Sequence, residues 1–386
     1  MAAHVAAGQM PGLVTLVASG GDVEVDVIGT PSFAEPGALT RDAIFRIASL
    51  TKPIAAATAM SLVDEGALRL DQVIDDLVPE LADRRVLSAI GAELDDTVPA
   101  RRPITLEDLL SYRMGFGSVM APPGTHPIQR AEAELGLQSI GGPPWPPISG
   151  DPDQWIAALG SLPLMAQPGE RWLYNTSGQV LGVLLARAAG KGVAELMRER
   201  LFEPLGMADT GFFVPAERLG RLAAFYSPEP VTGELSLIDD ASDSWWARPP
   251  SFPDASGWLV STIDDYWSFV SMLLAGGSPR GERILSQQSV ALMTRDRLTP
   301  AQRGASRMFL GEHGGWGLGM AAPADGSSGQ PLPCGFGWEG GSGTAWRSNP
   351  ESGVTGILFT QRQMTSPEPP PVVEDFWAGV NAAIAA

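Results

Sequence analysis

The stretch Phe45-Arg46-Ile47-Ala48-Ser49-Leu50-Thr51-Lys52-Pro53 sets a serine three residues before a lysine at the head of a predicted helix. Residues at i and i+3 share a helix face, so Ser49 and Lys52 project together. Pro53 fits the first turn, where its missing N–H has no partner to lose. The small and apolar run from Ile54 to Val63 carries the helix on from about Ser49 to Gly66, which reads as its stop. By itself the pair also fits a helix cap beside a surface charge.

The lysine sharpens the reading. Of the 26 basic residues only Lys52 and Lys191 are lysines, and all others are arginine. An arginine does not give up its proton near neutral pH, whereas a lysine desolvated in a pocket can act as a base. A serine hydroxyl needs such a neighbour to become a useful nucleophile.

The chain's 386 residues suffice for one large or two interleaved domains, and its 44% hydrophobic content is that of a globular protein. A net charge of -18 argues against nucleic acid or an anionic membrane as partner, because both select basic surfaces. Met1 to Val5 lacks the basic leader and apolar core of a signal peptide, and no run approaches the ~20 apolar residues that span a bilayer. With a single cysteine, Cys334, no intramolecular disulfide forms, and a cytoplasmic protein is expected. His4, His126 and His313 lie far apart, so neither a metal site nor a cofactor is expected.

Leu13 to Ser19 and Val23 to Ile28 read as a hairpin about Gly20-Gly21-Asp22. Thr105-Leu106-Glu107-Asp108 reads as a capping box ahead of Leu109-Leu110. From Gly115 to about Pro152 the chain is dense in glycine and proline and reads as one long loop, whose Phe116, Met120 and Trp145 are candidates to wall a pocket. Helices follow at Ser177 to Ala189, Val193 to Leu201, Asp264 to Leu274 and Gln287 to Met293. Strands return at Trp316 to Met320, Gly335 to Trp338, Gly343 to Trp346 and Val354 to Gln361, before a closing helix from Val372 to Ala385. Strands at both ends with helices between predict an α+β protein whose single sheet is built from the two chain termini. Residues 1–70 and 305–386 would form the sheet domain, and 71–304 a mostly helical insertion with long loops.

Two further stretches bear on chemistry. Trp172-Leu173-Tyr174-Asn175-Thr176-Ser177-Gly178 places a tyrosine at a helix entry, where a nearby ammonium would ease loss of its proton. Phe336-Gly337-Trp338-Glu339-Gly340-Gly341-Ser342-Gly343 is glycine-dense within a strand region, a pattern that permits close backbone approach. Its free N–H groups, with that of Ser49, would suit an oxyanion. Asp239-Asp240 and Asp264-Asp265 read as a solvated turn and a helix start. The absence of a G-x-S-x-G elbow argues against an α/β-hydrolase.

Together these stretches resemble the serine β-lactamase and penicillin-binding protein superfamily, in its branch of class C β-lactamase-like family VIII carboxylesterases. Ile104 to Leu110, Leu205-Gly206-Met207, Ser256 to Thr262 and Gly315 to Met320 are similar to that family's phrases in the same order. The resemblance implies a β-lactamase/transpeptidase-like fold, with an antiparallel sheet flanked by helices. By position it implies that Ser49 is the acylated nucleophile, Lys52 its activator and Tyr174 the proton relay. The backbone N–H groups of Ser49 and Gly341 would hold the oxyanion. Which of Lys52 and Tyr174 takes the serine proton stays open.

Two departures from the β-lactamase pattern bear on substrate. Thr176 stands where an asparagine is usual, and Trp338 where a lysine would hold a substrate carboxylate. Both weaken a β-lactamase reading, and the tryptophan favours an apolar acyl or alcohol group. A small or medium carboxylic ester is expected as the small-molecule partner, with Trp338, Gly340, Thr176, Phe116, Trp145 and Arg347 as candidate substrate contacts. Arg347 keeps a carboxylate-bearing substrate in play. A β-lactamase, D-amino-acid peptidase or acyltransferase of the same superfamily, or a catalytically silent binding protein, are the alternatives. Oligomeric state is not legible.

Overall fold

The structure, a computed structural model, describes residues 1–34, 37–137, 147–148, 150–229, 232–324 and 330–385. Seven strands form one antiparallel sheet: β1 Gly12–Ser19, β2 Asp22–Gly29, β3 Gly314–Trp316, β4 Ala321–Pro323, β5 Phe336–Gly340, β6 Thr344–Asn349 and β7 Val354–Thr360. Their spatial order is β2-β1-β7-β6-β5-β4-β3, so the first and last parts of the chain pair directly, Leu13 opposite Thr360. This is the expected sheet of two termini. Gly20 and Gly21 turn the β1–β2 hairpin with φ of +60° and +96°, a conformation that glycine adopts without strain.

Alternation along each strand separates two cores. On β7, Val354 and Leu358 pack with Val373, Phe376 and Trp377 of helix Pro371–Ala385, while Ile357 and Phe359 face the main core on the other side. Gly356 lies between the first two, and a Cβ there would stand 2.6 Å from the Trp377 ring. Only glycine lets that helix sit so close.

On the main-core face, α1 (Thr51–Asp64) is buried from Thr51 to Leu62, which explains why its sequence is apolar all round instead of striped. The segment expected as a strand from Trp316 to Met320 stops at Trp316 and resumes at Ala321. Between them Gly317 N–H closes a turn onto the Met320 carbonyl at 2.9 Å. Gly319, at φ +80°, presses its backbone on α1, where a Cβ would meet that of Ala56 at 2.3 Å. Contact with α1 therefore breaks the strand.

Helix α2 (Leu106–Leu110) carries the expected capping box: Asp108 N–H donates to Thr105 Oγ1 at 3.3 Å, and Thr105 N–H to Asp108 Oδ2 at 3.0 Å. Helix α3 (Thr176–Ala189) ends at Gly190 in the left-handed region. Helix α4 (Ile263–Leu274), capped by Thr262, lies within the span 71–304 and packs on the sheet. Its Tyr266 and Phe269 meet Trp346 of β6 edge-on at 5.7 and 6.2 Å.

Two expectations are corrected. The region from Gly115 to Pro152 is not loop throughout, because Pro127–Glu134 is helical. Pro127 occupies the first turn, and His126 N–H is held by Gln129 Oε1 at 2.9 Å. Asp239 is no solvated turn residue. It forms an ion pair with Arg46, each side chain 2% exposed, and the guanidinium lies between Phe225 and Trp246 at 5.8 and 5.0 Å. Arg46 is buried because Phe45–Arg46 pairs with Val260–Ser261, and a buried cation needs its counter-charge.

Candidate active site

Ser49 sits in a single 3-10 turn, Ala48–Leu50, that feeds directly into α1. Ala48 has φ +42°, in the region where a side chain is strained, and it turns the chain so that the half-buried Ser49 faces a cleft. One helical turn on, Lys52 is 1% exposed, and its Nζ contacts Ser49 Oγ at 2.9 Å, Asn175 Oδ1 at 2.9 Å and the Ser256 carbonyl at 2.6 Å. Two of those partners, the amide and peptide oxygens, only accept. An uncharged amine can satisfy both with its two protons and keep its lone pair for the Ser49 hydroxyl. Burial drives the Lys52 pKa down to about 7, opposed by the charge of Asp254.

Tyr174 enters from the head of α3. Asn175 has φ +78° and ψ -66°, and Thr176 N–H donates to the Tyr174 carbonyl at 3.2 Å, which is a γ-turn of the strained hand. That turn aims Asn175 at Lys52 and Tyr174 at Ser49. The Tyr174 carbonyl is held from behind by Ser118 N–H at 2.9 Å, and Gly117 packs so close that a Cβ would meet the same carbonyl oxygen at 2.5 Å. Burial raises the Tyr174 pKa; hydrogen bonds with Ser49 and Trp338 pull it back without cancelling that, and the Glu339 charge adds to the rise. The phenol is thus a standing proton donor. Lys52 Nζ lies 4.5 Å from the Tyr174 ring centroid.

The third wall is β5. Trp338 Nε1 donates to the Tyr174 hydroxyl at 2.7 Å. Ser342 and Thr344 hydroxyls donate to the Arg46 and Ile47 carbonyls, so the end of β5 is fastened to the chain leading into Ser49. At Gly340 a Cβ would stand 2.4 Å from the Ile47 oxygen, which accounts for that glycine. Ser49 and Gly341 both line the cleft, and among the described residues no turn or loop carbonyl accepts from either N–H. Two such donors can receive a developing oxyanion.

The cleft is lined by Ser49, Tyr174, Asn175, Ser256 and Gly341 with Phe309, Trp338 and Met364 as its apolar side. Of the sequence candidates, Ser49, Lys52, Tyr174, Gly341 and Trp338 are brought together, and Gly340 lies behind them. Phe116 is 1% exposed in the core and Thr176 is equally buried, so neither lines the cleft. Arg347 is outside it too, bound to the Glu339 carboxylate at 2.8 Å because both stand on one face of paired strands. Met120 is 55% exposed and does not line the cleft, and Trp145 lies outside the described residues. Asn175 and the Ser256 carbonyl were missed as Lys52 partners. A positive φ and a backbone oxygen leave no mark in residue type, although an asparagine beside the tyrosine was a usable hint. Among the described residues no three His, Cys, Asp or Glu side chains are gathered so as to hold a metal ion. No helix among them is long and apolar enough to cross a membrane.

The β-lactamase family matches residues 1–373. A Mycobacterium tuberculosis protein described as uncharacterised is 40% identical over 365 residues, covering 92% of this chain and 86% of that protein. Esterase EstB of Burkholderia gladioli is 26% identical over 370 residues, 91% of this chain and 86% of its own. Among solved structures, EstCE1, a hydrolase with promiscuous acyltransferase activity, superposes with a TM-score of 0.77 at 22% identity, covering 100% of this chain and 96% of that one. The chain belongs to the β-lactamase family, a superfamily of serine hydrolases, and has the β-lactamase/transpeptidase-like fold.

Proposed function

We propose that this chain is a serine carboxylesterase of the family VIII kind, which cleaves small or medium carboxylic esters through an acyl-Ser49 intermediate. The observation that carries the reading is the Lys52 amine, buried, with a pKa near 7, on the Ser49 hydroxyl beside a protonated Tyr174. Ser49 Oγ attacks the ester carbonyl and its proton passes to Lys52, while the N–H groups of Ser49 and Gly341 take the oxyanion. Collapse expels the alkoxide, which receives the Tyr174 proton; the Lys52 ammonium then restores it. Water repeats the sequence on the acyl-enzyme and releases the acid.

Ester substrates are favoured over β-lactams by the charge of the cleft. Trp338 replaces a carboxylate-binding lysine, Arg347 is spent on Glu339, and Lys52 is enclosed by its three partners. No described lining residue offers a free cation to a carboxylate. The apolar wall of Phe309, Trp338 and Met364 suits an acyl or alcohol chain. The likeness to esterase EstB agrees with this reading. Acyl transfer to an alcohol is a second reading, favoured by the same apolar cleft.

The test is the initial rate on a short-chain p-nitrophenyl ester series beside a chromogenic cephalosporin, with native protein and Ser49→Ala. Ester turnover lost in the variant, with little cephalosporin cleavage, supports the esterase. Preferred cephalosporin cleavage overturns it. A cytoplasmic location is proposed as well, because a sequence with a single cysteine forms no intramolecular disulfide.

A further inference from the structure

The loop before β-pair residue Val260 carries a buried acid that the reaction sequence above does not use. Asp254 is 1% exposed; its Oδ1 accepts from Ser256 N–H at 2.7 Å and its Oδ2 from Gln179 Nε2 at 3.2 Å. No described cation pairs with it, although a buried carboxylate without an ion-pair partner is costly. The same loop is pressed against α3. At Gly178 a Cβ would meet Ser256 Cβ at 3.0 Å, and at Gly182 it would meet Ala255 Cβ at 2.8 Å, so two glycines one turn apart admit the loop to the helix that carries Gln179. Ser256, fixed in this way, turns its carbonyl to Lys52 Nζ at 2.6 Å.

We propose that Asp254 is a positioning residue for the catalytic base: it holds the Ser256 carbonyl on Lys52 and supplies a negative charge that steadies the ammonium form. The inference rests on the reading of Lys52 as the acceptor of the Ser49 proton. Burial alone would push the Lys52 pKa below its value of about 7, and the Asp254 charge holds it up. A base much weaker than that would remove a serine proton poorly, so the acid keeps the amine both neutral enough and basic enough near neutral pH. Tyr174 faces Lys52 across the cation–π contact, and Tyr112, stacked on Tyr174, has its pKa raised far by burial and by the Tyr174 and Asp254 charges. Glu339, which acts on Tyr174, is matched by Arg347.

The discriminating variant is Asp254→Asn. It keeps an oxygen for Ser256 N–H, and Gln179, whose Oε1 has no partner, can turn its amide to accept from the new NH2. The readout is the pH profile of kcat/KM on a p-nitrophenyl ester, with the pH dependence of Ser49 inactivation by a fluorophosphonate as a second measure. The sign follows from the charge: without it the Lys52 pKa falls, so the acid limb moves to lower pH, by roughly half a unit or more, and the plateau drops several-fold. Asp254→Ser, which also lacks the charge, should give the same displacement if the asparagine variant folds poorly. Gln179→Leu removes a hydrogen bond and no charge, and should leave the limb in place. Variants that lose rate with the limb unmoved would overturn the proposal, since a merely structural acid would behave that way. A native profile without an acid limb would overturn the Lys52 reading itself, and this assignment with it.

Discussion

The indole N–H of Trp338 meets the hydroxyl of Tyr174 at 2.7 Å, with the two ring centroids 5.6 Å apart. In the proposed mechanism, the residue that departs from the β-lactamase pattern would therefore act on the proton relay as well as wall the cleft. It takes up one acceptor position of the phenol and leaves the phenol's own proton for the reaction. Trp338→Phe should keep the wall and lose the donor. A hydrogen bond of this kind contributes about 1 kcal/mol, so kcat on a p-nitrophenyl ester should fall roughly five- to tenfold with KM little changed. Steady-state kinetics checks this split; a change confined to KM would speak for the wall alone.

Asn175 at φ +78° separates conformation from contact. Asn175→Gly relieves the strain but removes an acceptor of Lys52, and Asn175→Ala removes the acceptor with the strain retained. The glycine variant should be at least as stable as the alanine one, by about 1 kcal/mol, while both lose much of kcat. Thermal melting and ester kinetics on the pair give the answer, and an active glycine variant would show the Lys52 contact to be dispensable.

The native kcat/KM should rise with pH through a midpoint near 7, because the base works only without its proton and burial has lowered Lys52 to about that value. Tyr174, with its pKa raised, should contribute no limb in the neutral range. Lys52→Arg, which cannot deprotonate, should lose activity by about 10²-fold or more at every pH. Rates between pH 5 and 9 on native and variant protein check both statements.

Gly340 touches the Ile47 carbonyl so closely that a Cβ would lie 2.4 Å from its oxygen and 2.2 Å from Thr344 Oγ1. Gly340→Ala should push β5 off the Ser49 turn and part the two oxyanion donors. Loss of one such donor costs about 3 kcal/mol elsewhere, so kcat should fall on the order of 10²-fold in whatever fraction folds.

The sequence made the Ser49, Lys52 and Tyr174 set legible because each stands in a motif whose spacing or neighbours mark it, and the order of the motifs carried the fold. What stayed hidden depends on backbone path and on partners distant in sequence. Nothing in residue type says that Ala48 adopts a positive φ, that the Ser256 oxygen points at Lys52, or that Gly319 abuts α1 and interrupts a strand. Arg347 looked free for a substrate because strand register, which sets it beside Glu339, is decided only once β5 and β6 pair. Phe116 read as a pocket wall for its position near a glycine-rich stretch, yet the close packing of Gly115 and Gly117 buries it.

The account stands on a covalent bond between the substrate's acyl group and Ser49. Native protein mixed with a slowly deacylating p-nitrophenyl ester, quenched in acid within the turnover time and weighed intact, should carry one acyl group that maps to the Ser49 peptide and is missing from Ser49→Ala. Unmodified native protein under full turnover, or an adduct that persists in the variant, would contradict the mechanism at its first step.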